Sequence, residues 1–297
     1  MNNYQNHPLA GAVDLDTAFN KMWFFYKKYF LGLYIISVIS ALLTSFFTSG
    51  IDVASFQEAS TDPELVLEKM KDMAGPYALM MLVSIVFGVL LHAWVLEKPS
   101  GEQGFISSLT RKTLTSLLPY LVAVIILLVL TVLLTSVGLV LLVLPGLFAV
   151  FYMVTVIMFA MPVTMIETRN PVEAVSRSFR LTHKNFWANM GWVIVVLLII
   201  IVASMIIGAL VMLPFTGSLI SSIANPEEAS SLLDMHRNPL FIILNALLSG
   251  LITPVMPILA FLLYFRNKGD EVTVEVTTDS EPKVKVEDLY PPMPGKE

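Results

Sequence analysis

Residues 113–166 read TLTSLLPYLVAVIILLVLTVLLTSVGLVLLVLPGLFAVFYMVTVIMFAMPVTMI, and none of these 54 residues is Asp, Glu, Lys or Arg. A bilayer span takes roughly 20 apolar residues, so the block is too long for one helix and long enough for two. Ser136, Gly138 and Pro145-Gly146 interrupt it near the middle, dividing it into spans over 116–136 and 142–166 joined by a very short turn. The uncharged blocks 29–51, 73–96, 185–226 and 238–265 surround it. They supply a first span from Phe30 to Thr48, a second from Pro76 to Leu96, a fifth from Trp187 to Leu213 and a sixth from Leu240 to Phe265. The expected fold is all-α, a polytopic transmembrane helical bundle of about six spans. Composition agrees: the chain is 56% hydrophobic and 14% charged, where a soluble domain carries about a quarter charged residues.

Six spans put both termini on one side, and the distribution of basic residues chooses it. Fifteen of the 18 Lys and Arg residues fall before the first span, between the second and third, between the fourth and fifth, or after the sixth. The opposite side keeps only Lys69, Lys71 and Arg237. Both termini are therefore expected in the cytoplasm. Trp23, Trp94, Trp187 and Trp192 all lie near the cytoplasmic ends, where indoles settle at headgroup level. The first span, with Asp14, Asp16 and three lysines before it and no small-residue cleavage site after it, reads as a retained anchor. The expected divisions are an N-terminal segment 1–16, a membrane domain 17–268 and a polar, proline-rich, disordered tail 269–297 with a short strand at 272–276. Short helices are also expected in the loops at 63–73 and 227–235.

Residues 18–30 (AFNKMWFFYKKYF) align with 174–186 (AVSRSFRLTHKNF), matching Ala18 with Ala174, Lys21 with Arg177, Trp23 with Phe179, Lys28 with Lys184 and Phe30 with Phe186. A weaker copy, 105–115 with Arg111 and Lys112, leads into the third span. The chain reads as three units, each a cytoplasmic interfacial amphipathic helix, a span out and a span back. In the best specified of these helices Asn170 caps, Pro171 takes the first position, and Glu173 the third. Val172, Val175, Phe179 and Phe186 share one face, Glu173, Arg177, Arg180 and Lys184 the other.

Lys27, Lys28, Arg111, Lys112, Arg177, Arg180 and Lys184 are the candidate contacts for anionic lipid or a partner; the alternative is that they only set topology. Glu167 sits where the fourth span meets the headgroups and is expected to pair with Arg177 or Arg180 across the turn.

Other chemistries find no support. The spans carry no ionisable midplane residue of the kind a proton pump needs. His92 reads as a hydrogen-bonded boundary residue, and Ser37, Ser40, Thr44, Thr131, Thr155, Ser204 and Asn245 as helix or backbone hydrogen-bonding groups. The four histidines are scattered and cysteine is absent, so neither a metal nor a cofactor site is expected. No Gly-rich phosphate loop, G-x-S-x-G or HExxH occurs, and no basic domain suited to nucleic acid.

The run Met161-Pro162-Val163-Thr164-Met165-Ile166-Glu167, followed by Pro171, Glu173-Ala174, Arg177-Ser178 and Lys184-Asn185-Phe186-Trp187, resembles a bacterial six-span family that includes the membrane domain of glycerophosphoryl diester phosphodiesterase. Leu144-Pro145-Gly146 at the start of the fourth span fits the same pattern. The resemblance implies an architecture and an inner-membrane location without an agreed activity; no phosphodiesterase domain is expected in so short a tail. Two functional classes stay open. One is a non-enzymatic membrane protein that scaffolds partners or senses and organises lipid. The other is a small transporter or channel using the fourth and sixth spans, which Pro145-Gly146, Pro162, Pro254 and Pro257 kink.

Overall fold

The computed structural model describes residues 4, 6–11, 15–49, 63–100, 104–217, 220 and 237–279. Eight α-helices and no strand occur among them: α1 Leu15–Ser49, α2 Pro63–Glu97, α3 Phe105–Leu141, α4 Val143–Ile166, α5 Pro171–Lys184, α6 Phe186–Met212, α7 Pro239–Ser249 and α8 Val255–Asp279. Five of them, α1 to α4 and α6, are long and apolar enough to cross a membrane. Away from the helix ends such an arrangement pairs the backbone polar groups within each helix, as hydrocarbon demands. Hydroxyls inside the helices follow the same rule: Ser37, Thr131, Thr155 and Thr164 each donate to the carbonyl four residues back, at 2.7–2.8 Å.

α1 contains a single non-helical residue, Tyr29 (φ −111°, ψ 16°), between the expected interfacial stretch and the first span. The equivalent position of the repeat is Asn185 (φ −131°, ψ 56°), which separates α5 from α6. The burial pattern repeats with the break. Ala18, Met22, Phe25, Leu33 and Ser37 are buried, and so are their counterparts Ala174, Ser178, Leu181, Asn189 and Val193. Leu109, Thr113 and Ser116 bury the same steps in the weaker copy, where Lys112 takes the place of Lys21 and Arg177. That copy is not a separate helix; it continues unbroken into α3.

Four further expectations are corrected. Pro63–Met73 is the start of α2 and not a helix of its own: proline suits a first helical turn, and the helix runs on through Gly75-Pro76 into the span. The sixth span is two helices, since Pro254 and Pro257 each lack a backbone donor. The strand placed at 272–276 is helical, continuing α8 past residue 268; a helix pairs its own backbone where a strand needs a neighbour. In α5 the buried residues are Ala174, Val175, Ser178, Leu181 and Thr182, with Phe179 half-buried, so Val175 and Phe179 face inward as expected while Val172 is 67% exposed. Small residues share that face because they let α5 approach its neighbours closely. The helix expected at 227–235 and the tail beyond 279 lie outside the described residues.

The core is concentrated at the end of the bundle that carries the basic residues. Ile258 to Phe265 of α8 are buried without interruption, as are Met158 to Met165 of α4. α8 packs against α1, α2, α4 and α5, and α4 against α3, α5, α6 and α8. Toward the α3–α4 turn burial ends: Leu139 to Leu144 are 52–87% exposed. The turn is one extended residue, Leu142 (φ −170°, ψ 159°). It is so tight that a Cβ on Gly138 would meet the Gly146 backbone at 2.8 Å.

Candidate functional site at the basic end

Two carboxylates organise this end. Glu167, just past α4, receives the Arg177 Nε at 2.7 Å, the Tyr264 hydroxyl at 2.8 Å and the Lys268 ammonium at 3.3 Å. Burial pushes its carboxyl up, but the hydrogen bonds from Arg177 and Tyr264 and the charges of Lys268 and Arg177 outweigh that and hold it below the usual range. α5 is placed for this contact by its cap: the Asn170 side chain accepts from Val172 N and Glu173 N at 3.0 and 3.4 Å, with Pro171 at the first position. Arg180 is exposed and is not among the groups that bond Glu167.

Glu97, at the end of α2, repeats the arrangement. The Ser108 hydroxyl donates to it at 2.6 Å and the Tyr4 hydroxyl at 2.9 Å, with the Lys112 ammonium 3.9 Å away. Burial lowers the Lys112 pKa; Glu97 opposes the shift, and the Arg169 and Arg111 charges reinforce it. α2 and α4 thus each end beside a glutamate held by a basic residue of the next helix and by a tyrosine from elsewhere. Glu97 and Tyr4 escaped the sequence reading, because nothing in their spacing links residue 4 to residue 97.

Beside the Glu167 cluster, Asn189 and Asn267, both fully buried, exchange amide hydrogen bonds: Asn267 Nδ2 donates at 2.9 Å and Asn189 Nδ2 at 3.3 Å. Lys184 donates to the Asn267 carbonyl at 2.8 Å. Close to α2, His7 lies between the rings of Phe25 and Phe265, at 5.8 and 4.9 Å. Its Nδ1 accepts from Leu9 N at 3.2 Å, so Nε2 carries the proton and donates to the Val95 carbonyl at 3.0 Å. Burial pushes His7 down to about 4, against the opposing effect of the Val95 hydrogen bond.

The seven candidate cations divide. Lys112, Arg177 and Lys184 are engaged internally. Lys27, Lys28, Arg111 and Arg180 are exposed. Lys27 sits 5.3 Å from the centre of the Trp23 ring, and Lys28 5.4 Å from that of Tyr29. Trp23 in turn edges an apolar groove of about 530 Å³, lined by Phe19, Tyr26 and Phe30 of α1, Val196 and Ile199 of α6, and residues flanking the α7–α8 break. The break itself is closed by the same helix: Tyr26 donates to the Leu251 carbonyl at 2.8 Å and Tyr34 to that of Leu247 at 3.1 Å. In the break Leu251 N turns to the Leu248 carbonyl and Val255 N to that of Ile252, so the Leu247 and Leu251 carbonyls lose their helical donors and the two tyrosines satisfy them.

Among the described residues no group of three His, Asp or Glu side chains is placed to hold a metal. Residues 128–275, from mid-α3 into α8, match the family described as the membrane domain of glycerophosphoryl diester phosphodiesterase. The match spans just under half of the chain. The family region contains the Glu167 cluster, the Asn189–Asn267 pair and the broken sixth helix; Glu97, Tyr4 and all of α1 lie before it. No curated protein and no solved structure matches the chain.

Proposed function

We propose that the protein is a bacterial inner-membrane protein with both termini in the cytoplasm, which binds anionic phospholipid and through it organises the surrounding bilayer or scaffolds other membrane proteins, without catalytic activity of its own. The observation that carries this reading is the groove of about 530 Å³ beneath Trp23 with Lys27 beside it. Its lining is aromatic and aliphatic, which suits an acyl chain. The exposed Lys27 and Lys28 suit a phosphate at the same depth, each worth about 1 kcal/mol against an anionic surface. Internal pairing of Lys112, Arg177 and Lys184 supports assigning lipid contact to the remaining cations and structure to these three.

The transporter reading has less support. A discontinuous helix serves transport when its freed carbonyls face a substrate, and here Tyr26 and Tyr34 occupy two of them.

Thermal unfolding of the purified protein with added phosphatidylglycerol or phosphatidylcholine tests the proposal. Phosphatidylglycerol is expected to raise the midpoint more, and the difference is expected to vanish in K27Q/K28Q and in Ile199→Trp, which fills the groove. Equal stabilisation by both lipids, or a preference that survives all these substitutions, would overturn it.

A further inference from the structure

The α3–α4 hairpin does not have the dimensions of an upright pair of spans. From Lys28 to Ser49 α1 rises about 31 Å, which fits a hydrocarbon core of about 30 Å. From Lys112 to Leu142 α3 rises roughly 45 Å, and from Leu142 to Glu167 α4 roughly 37 Å. The other two turns carry acidic residues, but this one is Leu-Val-Leu-Leu-Val-Leu over 139–144, its side chains 52–87% exposed. An upright hairpin would drive that tip through the far headgroups. Keeping it in hydrocarbon at all inclines α3 by at least about 48°, and keeping it in one leaflet inclines it further, beyond the 0–40° that spans ordinarily adopt.

Side-chain contacts point the same way independently. Trp192, near the start of α6, lies 5.1 Å from Phe19 of α1, and Phe215, just past the end of α6, lies 6.0 Å from Phe241 near the start of α7. The first residues of α6 are therefore at the basic end. Phe148, six residues from Leu142, lies 6.1 Å from Phe186 and 6.4 Å from Trp187. Tyr152 reaches His183 at 3.3 Å. At its other terminus α4 hands over to Glu167, which is bound to Arg177 and Lys268 of that same end. Both termini of α4 are tied to one end of the bundle, and the tip is only about 9 Å of helix beyond Phe148.

We propose that the α3–α4 hairpin is a wedge confined to the leaflet at the basic end: it enters and returns on one side, and acyl chains surround its tip. Lipid is the occupant because the tip, Leu139 to Leu144, offers no polar side chain. Gly138 and Gly146, the small residues by which a second copy would approach, are already closed against each other. Two crossings are removed together, so the termini still share a side. The inference does not rest on the groove.

The chain has no cysteine, so single thiols report cleanly in oriented vesicles. Lys71→Cys and Ser176→Cys serve as controls for the two surfaces. Leu142→Cys is expected to lose labelling by a membrane-impermeant maleimide from both sides, and a fluorophore attached there to be quenched by lipids brominated along the acyl chain. Labelling from the Lys71 side would show a full crossing and from the Ser176 side a tip in water; either overturns the wedge. An oxidative disulfide between two Leu142→Cys copies would put a second copy in place of lipid and overturn the assignment. Leu139→Cys gives the same readouts if Leu142→Cys does not accumulate.

Discussion

Glu167 shows what a single carboxylate does at the end of a span. With a side-chain exposure of 14% it is too enclosed to be left without partners, and hydrogen bonds to charged groups contribute about 1.5–3 kcal/mol each. Glu167→Gln is expected to lower stability by about 2–3 kcal/mol. A double-mutant cycle with Arg177→Ala should give a coupling above about 1 kcal/mol, whereas Arg180→Ala should be additive. Because its folded-state pKa lies below the ordinary value, this contribution is complete above the unfolded pKa and is lost as pH falls through the folded one. The gap between wild type and Glu167→Gln should therefore close in acid, which detergent unfolding at a series of pH values measures. His7 works in the same direction for a different reason. Its folded pKa of about 4 lies below 6.5, so the released N-terminal segment holds a proton that the docked one rejects. Docking should weaken by about 1.4 kcal/mol per pH unit between those values. Protease sensitivity of the first residues should rise over that window, and His7→Gln should flatten the rise. The Glu167–Arg177 contact was legible in the sequence because ten residues and one cap separate the partners. Glu97 with Tyr4 was not, since their meeting depends on how the N-terminal segment folds back.

At the level of elements, the interfacial helix and first span could be told apart at Phe30, and the break falls at Tyr29, because Lys27 and Lys28 end the charged stretch. The strongest local grammar, Asn170-Pro171, set the start of α5 correctly. Which face α5 buries was legible in part: Val175 is buried and Phe179 half-buried as apolar size favoured, but Val172 is exposed and packing added Ala174 and Ser178. Pro254 and Pro257 announced a kink in the sixth span, but charge-free length concealed that it divides into α7 and α8. Close approach has its own signature at Gly32, where an added Cβ would collide with the Trp94 ring. Gly32→Ala is expected to destabilise by about 1–3 kcal/mol through overpacking. Unfolding in detergent, together with a red shift of Trp94 emission as the indole is displaced, checks this.

Across the whole molecule, the fifteen-to-three division of basic residues predicts that Ser176→Cys is protected from an impermeant thiol reagent in intact cells while Lys71→Cys is labelled. Ser176 is the appropriate probe because it is exposed, whereas the neighbouring Ser178 is fully buried. The reverse pattern would invert the topology. All-helical architecture and a membrane bundle were legible from hydropathy, which reports solvent preference over long stretches; the inclination of one hairpin was not, since it is set by aromatic contacts between distant helices. The N-terminal segment gives the bundle a chronology. His7 is held by the ring of Phe265, a residue that leaves the ribosome 258 positions later. At about 5–20 residues per second that interval is roughly 13–50 s. During it His7 and Leu9 have no finished site to occupy, and the insertion machinery handles a chain whose first residues are among the last to settle.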